Sequence, residues 1–92
     1  MFIKDPAMRK FLGELERERN SAKKKGENLM AKVYDWIIST IRNDEFYRDK
    51  PLWYMQSMIK CRMDFAEVGN SERYFLKMAL DISRKYAPYE ES

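Results

Sequence analysis

A chain of 92 residues with 45% hydrophobic and 36% charged side chains is the size of one folded domain, and it is too apolar to be a disordered tract. No apolar run is long enough for a membrane span, and the start "MFIKDPAMRK" has no leader-like core, so neither a membrane partner nor secretion is expected. A single cysteine, Cys61, excludes an internal disulfide and points to a reducing, cytoplasmic setting.

Three glycines and three prolines leave room for few, long elements, which favours helices. Asp5-Pro6 is a helix start: a side-chain acceptor precedes the residue best suited to the first helical position. Met8, Phe11, Leu12 and Leu15 then recur on one face. The segment "ERERNSAKKKGEN" that follows is nearly all polar, and Asn20-Ser21 reads as a new cap. Ala22 and Gly26 nevertheless keep phase with Leu29, Val33 and Ile37, so a continuous first helix is the alternative.

The second helix gathers Leu29, Met30, Val33, Tyr34, Trp36, Ile37, Ile38 and Ile41 in one arc when residues are placed about 100° apart. It ends in the turn "RNDEFYRDK", whose Phe46 and Tyr47 are expected to fold back on the core. The third helix starts near Pro51 and stops before Gly69, with Leu52, Met55, Met58, Ile59, Cys61, Ala66 and Val68 among its apolar residues. On it Gln56, Ser57, Lys60, Asp64 and Glu67 mark a solvent face. The fourth helix carries Phe75, Met78, Ala79, Ile82 and Tyr86 and is stopped by Pro88, leaving "YEES" as a solvated tail. The expected fold is all-α: a small four-helix bundle with helices at about 6–19, 21–43, 51–68 and 71–87, forming a single helical domain over residues 1–92.

Two residues of the third helix sit out of place. Trp53 falls in the polar face, where a large apolar ring with one polar handle has the profile of an interface anchor. Tyr54, Phe46 and Tyr47 would form the rim of such a protein-binding surface; the plain alternative is that Phe46, Tyr47 or the N-terminal segment covers the indole. Arg62 is the inverse case, set among Met55, Met58, Ile59 and Ala66, and is expected to be buried and paired with a carboxylate or carbonyl, or else to snorkel out to solvent. Broad apolar arcs on the second, third and fourth helices exceed what a monomeric bundle hides, so a homo-oligomer, or a central encircled helix, is expected. Trp36, at the edge of its arc, is expected to be core.

Chemistry-bearing motifs are scarce. The chain has no histidine, and no phosphate-cradling glycine loop. Asp44, Glu45 and Asp49 lack the spacing of a calcium loop. No catalytic residue, metal or cofactor is therefore expected. The net charge of +3 is concentrated in residues 17–25, "RERNSAKKK", with five basic residues and one acidic. Arg17, Arg19, Lys23, Lys24 and Lys25 are thus candidates for contact with nucleic-acid phosphates, against which stand nearby Glu14, Glu16, Glu18 and Glu27 and the lack of an interleaved aromatic residue. The first expectation is a protein-binding adaptor, inhibitor or regulatory subunit; a nucleic-acid-binding accessory protein is the second.

Overall fold

Asp5 and Pro6 open the first helix as their chemistry dictates. In the computed structural model, which describes residues 3–65 and 67–89, helix α1 spans Pro6–Lys24. Asp5 holds an extended backbone, and its Oδ1 accepts from the Ala7 amide at 3.1 Å. Met8, Phe11, Leu12, Leu15 and Ala22 are buried along one stripe. The helix runs straight through Asn20, so neither the break at Asn20 nor a continuous helix to residue 43 is correct. The turn comes at Gly26, whose φ of +75° lies in the left-handed region that glycine alone enters without strain. There the Glu27 amide donates to the Ala22 carbonyl at 2.9 Å and the Gly26 amide to Lys23 at 3.2 Å, the paired bonds of a Schellman stop.

Helix α2 spans Asn28–Asn43, α3 is a single turn at Glu45–Arg48, α4 covers Leu52–Met63 and α5 covers Asn70–Ser83. The fold is an all-α bundle, with no strand among the described residues and no helix among them long and apolar enough to cross a membrane. Helices α1 and α2 form one hairpin, tied on its surface by Arg19–Asp35 at 2.8 Å and Arg42–Glu16 at 2.6 Å. Helices α4 and α5 form the other. Helix α5 packs on α4 and α2 and also touches α1, so it joins the two hairpins. Phe11, Leu15, Tyr34, Ile37, Ile41, Met55, Ile59, Leu76 and Leu80 fill the space between the hairpins. The radius of gyration, 12.5 Å, is close to the roughly 12 Å expected of a compact chain this long.

Both later helices are shorter than their sequence patterns suggest, for identifiable reasons. Helix α4 stops at Met63 because Arg73, one turn into α5, takes up the carbonyls released there. Its guanidinium donates to Met63 O at 2.8 Å, Phe65 O at 3.0 Å and Val68 O at 3.2 Å. Ala66, counted in the expected apolar arc, and the tail residues Glu90, Glu91 and Ser92 lie outside the described residues. Helix α5 stops at Ser83 because a turn over 84–87 follows, and it carries Lys85 and Tyr86 to Glu14 of α1. The Lys85 Nζ donates to Glu14 Oε2 at 2.7 Å and the Tyr86 hydroxyl to Glu14 Oε1. Burial of Glu14 works to raise its pKa, but the hydrogen bonds from Lys85 and Tyr86 and the charges of Lys85 and Arg17 outweigh it and hold the carboxyl below its ordinary value.

Gln56, expected on the solvent face, is instead fully buried. It donates to Ser83 Oγ at 3.0 Å and to the Ala87 carbonyl at 2.8 Å. The buried stripe of α4 is therefore Leu52, Met55, Gln56 and Ile59. This shifts the whole helix about its axis relative to the reading from apolar residues alone.

The tie between the hairpins is again Asp5. Its Oδ2 accepts from the Leu52 amide at 2.7 Å, so one carboxylate caps the N-termini of both α1 and α4. Asp5→Ala is expected to destabilise the fold by about 2–3 kcal/mol, roughly twice a single lost cap. Asp5→Asn should fall in between, because an amide has only one acceptor oxygen. Urea denaturation followed by circular dichroism checks both; equal stability of Asp5→Ala and the parent would contradict the double cap. A second expectation follows from Glu14. A carboxyl whose folded pKa is depressed stabilises above its unfolded pKa and loses that contribution as pH falls through the folded value. Glu14→Gln should then cost about 1–2 kcal/mol at pH 7, and the gap to the parent should close as pH drops below about 4. A gap that is flat between pH 7 and pH 3 would be inconsistent with the clasp.

Candidate functional site: an aromatic corner

The charged turn after α2 builds the most conspicuous surface feature. Asp44 caps α3 by accepting from the Phe46 amide at 3.0 Å, and this single turn sets Phe46 and Tyr47 side by side. Pro51 then starts α4 in an extended conformation, with Trp53 and Tyr54 in its first turn. The four rings form one chain. Tyr47 meets Phe46 edge to face at 5.2 Å between centroids, Phe46 meets Tyr54 at 5.6 Å, and Tyr54 stacks on Trp53 at 4.1 Å.

Their exposure differs along the chain. Tyr47 is half-buried against the core, whereas Phe46 is 50% and Trp53 51% exposed. Phe46 therefore does not fold back on the core, because the one-turn α3 has room to bury only one of its two rings. Nor do Phe46 and Tyr47 cover Trp53: among the described residues the ring stacked on it is its own neighbour, Tyr54, and the residue is 51% exposed; Met1 and Phe2 of the N-terminal segment lie outside the described residues. Lys50 lies over the group, its Nζ 5.0 Å from the Phe46 ring centroid and 5.3 Å from that of Tyr54. No periodic signal marked Lys50, which sits in a run of charged turn residues. Surface ion pairs frame the corner, Lys4–Asp49 at 3.8 Å and Arg48–Glu45 at 3.9 Å. Chemically, the corner offers apolar area with a hydroxyl, an indole N–H and one cation at its margin.

The remaining candidates are scattered. Arg19 and Lys23 both face Asp35, at 2.8 Å and 3.7 Å, so part of the basic charge of the 17–25 segment is neutralised within the hairpin. Arg17, Lys24 and Lys25 are exposed. Arg62 is not buried: its side chain is 47% exposed, 3.5 Å from Glu72 and stacked over the Trp36 ring at 5.7 Å. The physical reason is the early end of α4, which removes the turn that would have enclosed it. Trp36 is likewise 39% exposed rather than core, and Cys61 is exposed rather than structural. Among the described residues, no group of three or more potential ligands is placed to hold a metal ion. Tyr34 carries the largest shift of acidity: burial, helped by the charges of Glu18, Glu14 and Glu27, pushes its phenol up to about 12. Fully enclosed in the core, it is neutral and inaccessible at ordinary pH.

Compared with protein-family models, curated proteins and solved structures, the chain matches none.

Because Trp53 touches mainly Tyr54, Trp53→Ala is expected to cost less than about 1.5 kcal/mol in thermal or chemical unfolding. Truncation of a buried ring such as Phe11 should cost about 3–5 kcal/mol. In single-tryptophan variants, acrylamide should quench Trp53 at least as readily as Trp36. A Trp53 emission that resists quenching would show the indole to be covered.

Proposed function

We propose that this domain is a non-enzymatic protein-interaction module that docks a protein partner through the aromatic corner, a second copy of itself in the first instance. The observation that carries the reading is the continuous chain of rings Tyr47–Phe46–Tyr54–Trp53, in which Tyr47 rests on the core while Phe46 and Trp53 are half-exposed. Trp and Tyr dominate the binding energy of protein interfaces, since each offers large area at small entropic loss. Here the rings also hold one another in place, so fewer rotamers are lost on docking. The nucleic-acid reading has weaker support, because Asp35 already engages two of the five cations that it needs.

Light scattering after gel filtration tests the reading. A species heavier than the 11.2 kDa monomer is expected at tens of micromolar, the range in which modest interfaces fill. Trp53→Ala should return it to monomer, or weaken it by about 30-fold or more, as for a typical interface anchor. For a different protein partner, capture from native lysate should survive nuclease and be lost with Trp53→Ala. Capture that needs nucleic acid, or self-association indifferent to Trp53, would overturn the proposal.

A further inference from the structure

The far flank of α4 carries a second feature, independent of the aromatic corner. Trp53 and Arg62 are nine residues apart, about half a revolution round the helix. On the Arg62 side a cleft of about 270 Å³ opens among α2, α4 and α5. Its floor is apolar: Val33 and Leu76, both buried. Its walls are Leu29 and Trp36, which remain about 40% and 39% exposed although they stand beside the core. Three charges ring it, Lys32 from α2, Arg62 from α4 and Glu72 from α5.

The charges are not mutually satisfied. Arg62 approaches Glu72 to 3.5 Å, yet Glu72 Oε2 is buried without a hydrogen bond. The guanidinium carbon lies over the Trp36 ring, 5.7 Å from its centroid, and apart from the 3.5 Å ion pair with Glu72 its N–H donors make no hydrogen bond among the described residues. Lys32 lines the cleft without an ion pair among the described residues. Two cations thus face one carboxylate across an apolar floor, and the mouth carries an excess positive charge.

We propose that this cleft binds a small carboxylate with an apolar, preferably aromatic, body. The body lies on Val33 and Leu76 between Leu29 and Trp36, and the carboxylate sits between Lys32 and Arg62. Arg62 can serve it without abandoning Trp36, because the fork of N–H groups projects from the edge of the guanidinium plane while the ring takes its face. A cationic ligand is disfavoured: it would have to displace Arg62 from Glu72 and sit beside Lys32. The volume, a little below the usual range for ligand pockets, restricts the ligand to about a dozen heavy atoms. Affinity should be roughly millimolar, which is what ligands of that size ordinarily reach.

Amide NMR titration of the intact chain with 3-phenylpropionate tests this. Saturable shifts are expected at residues 29, 32, 33, 36, 62, 72 and 76, with a midpoint of roughly a few millimolar. The neutral isostere 3-phenylpropanol should bind about 10-fold more weakly, as should 3-phenylpropionate to Arg62→Met, which keeps the stem and the fold but removes the charge. Glu72→Gln is the decisive variant: it removes the competing carboxylate, so the anion should bind roughly 3- to 10-fold more tightly. A part played by Glu72 only in folding could not produce that gain. Absence of saturable shifts at about 10 mM ligand, shifts centred on Trp53, tighter binding of phenylethylammonium than of the carboxylate, or weaker anion binding by Glu72→Gln would each overturn the proposal.

Discussion

A single carboxylate sets the relation between the two hairpins. Asp5 accepts from Ala7 with one oxygen and from Leu52 with the other, across 47 positions of sequence. Both bonds come from amides at helix starts, where the partial positive charge of the helix is concentrated, so the anion is favoured by two dipoles at once. Because an N–H···O bond holds its atoms to within a few tenths of an ångström, it fixes the start of α4 against the start of α1. The Lys4 amide adds a bond to the Arg48 carbonyl at 3.3 Å, which fastens α3 to the same strand of chain. The aromatic corner lies on this fastened piece. Its rings are displayed from the first turn of a helix whose start is held by Asp5 and from a single-turn helix that would not persist in isolation.

What could be read from the residues follows from how far each interaction reaches. Asp5-Pro6 is a local signal, and α1 begins where it indicates. The stripe Met8, Phe11, Leu12, Leu15 is local too, and all four are buried. The break between α1 and α2 was misplaced because "ERERNSAKKKGEN" has no hydrophobic phase to interrupt, which left Asn20 and Gly26 as competing stops. Backbone geometry decides between them: a Schellman stop needs a left-handed residue, and Gly26 is the one that enters that region without strain. The cap on Leu52, by contrast, has no local trace: Asp49 is the carboxylate near Pro51 in sequence, yet the acceptor is Asp5, 47 positions away.

Helix α4 was the hardest to read because its composition and its burial disagree. Trp53 and Tyr54 are apolar and stand outside, while Gln56 is polar and sits inside. Gln56 is admitted to the core by Ser83 and the Ala87 carbonyl, 27 and 31 positions away, which accept from its two N–H donors and offset the desolvation of that half of the amide, while its Oε1 is buried without a hydrogen bond. The apolar pattern encloses Arg62 only if residues 64–68 continue the helix. Arg73 undoes that by collecting three carbonyls of the connecting loop, a contact visible only once α5 has folded back. The four rings of the corner were legible as a composition, but their contiguity, and the place of Lys50 above them, depend on the turn of α3.

The outcome is a helix with a narrow buried stripe and two flanks that the core does not use. Leu52, Met55, Gln56 and Ile59 carry the packing of α4. Trp53 and Tyr54 on one flank, and Arg62 on the other, make contacts that leave them open to solvent on at least one side. Side chains of this kind contribute little to the balance between folded and unfolded chain, whose terms are dominated by enclosed apolar area. Their chemistry can therefore be set by what they meet outside. The two flanks differ in what they can meet. The first has flat aromatic area with one cation at its margin, the profile of a surface that adds to another surface. The second has a concave apolar floor ringed by unequal charge, the profile of a site that encloses a small anion. Both are held in register by the same few interior contacts, so neither requires the other to be occupied.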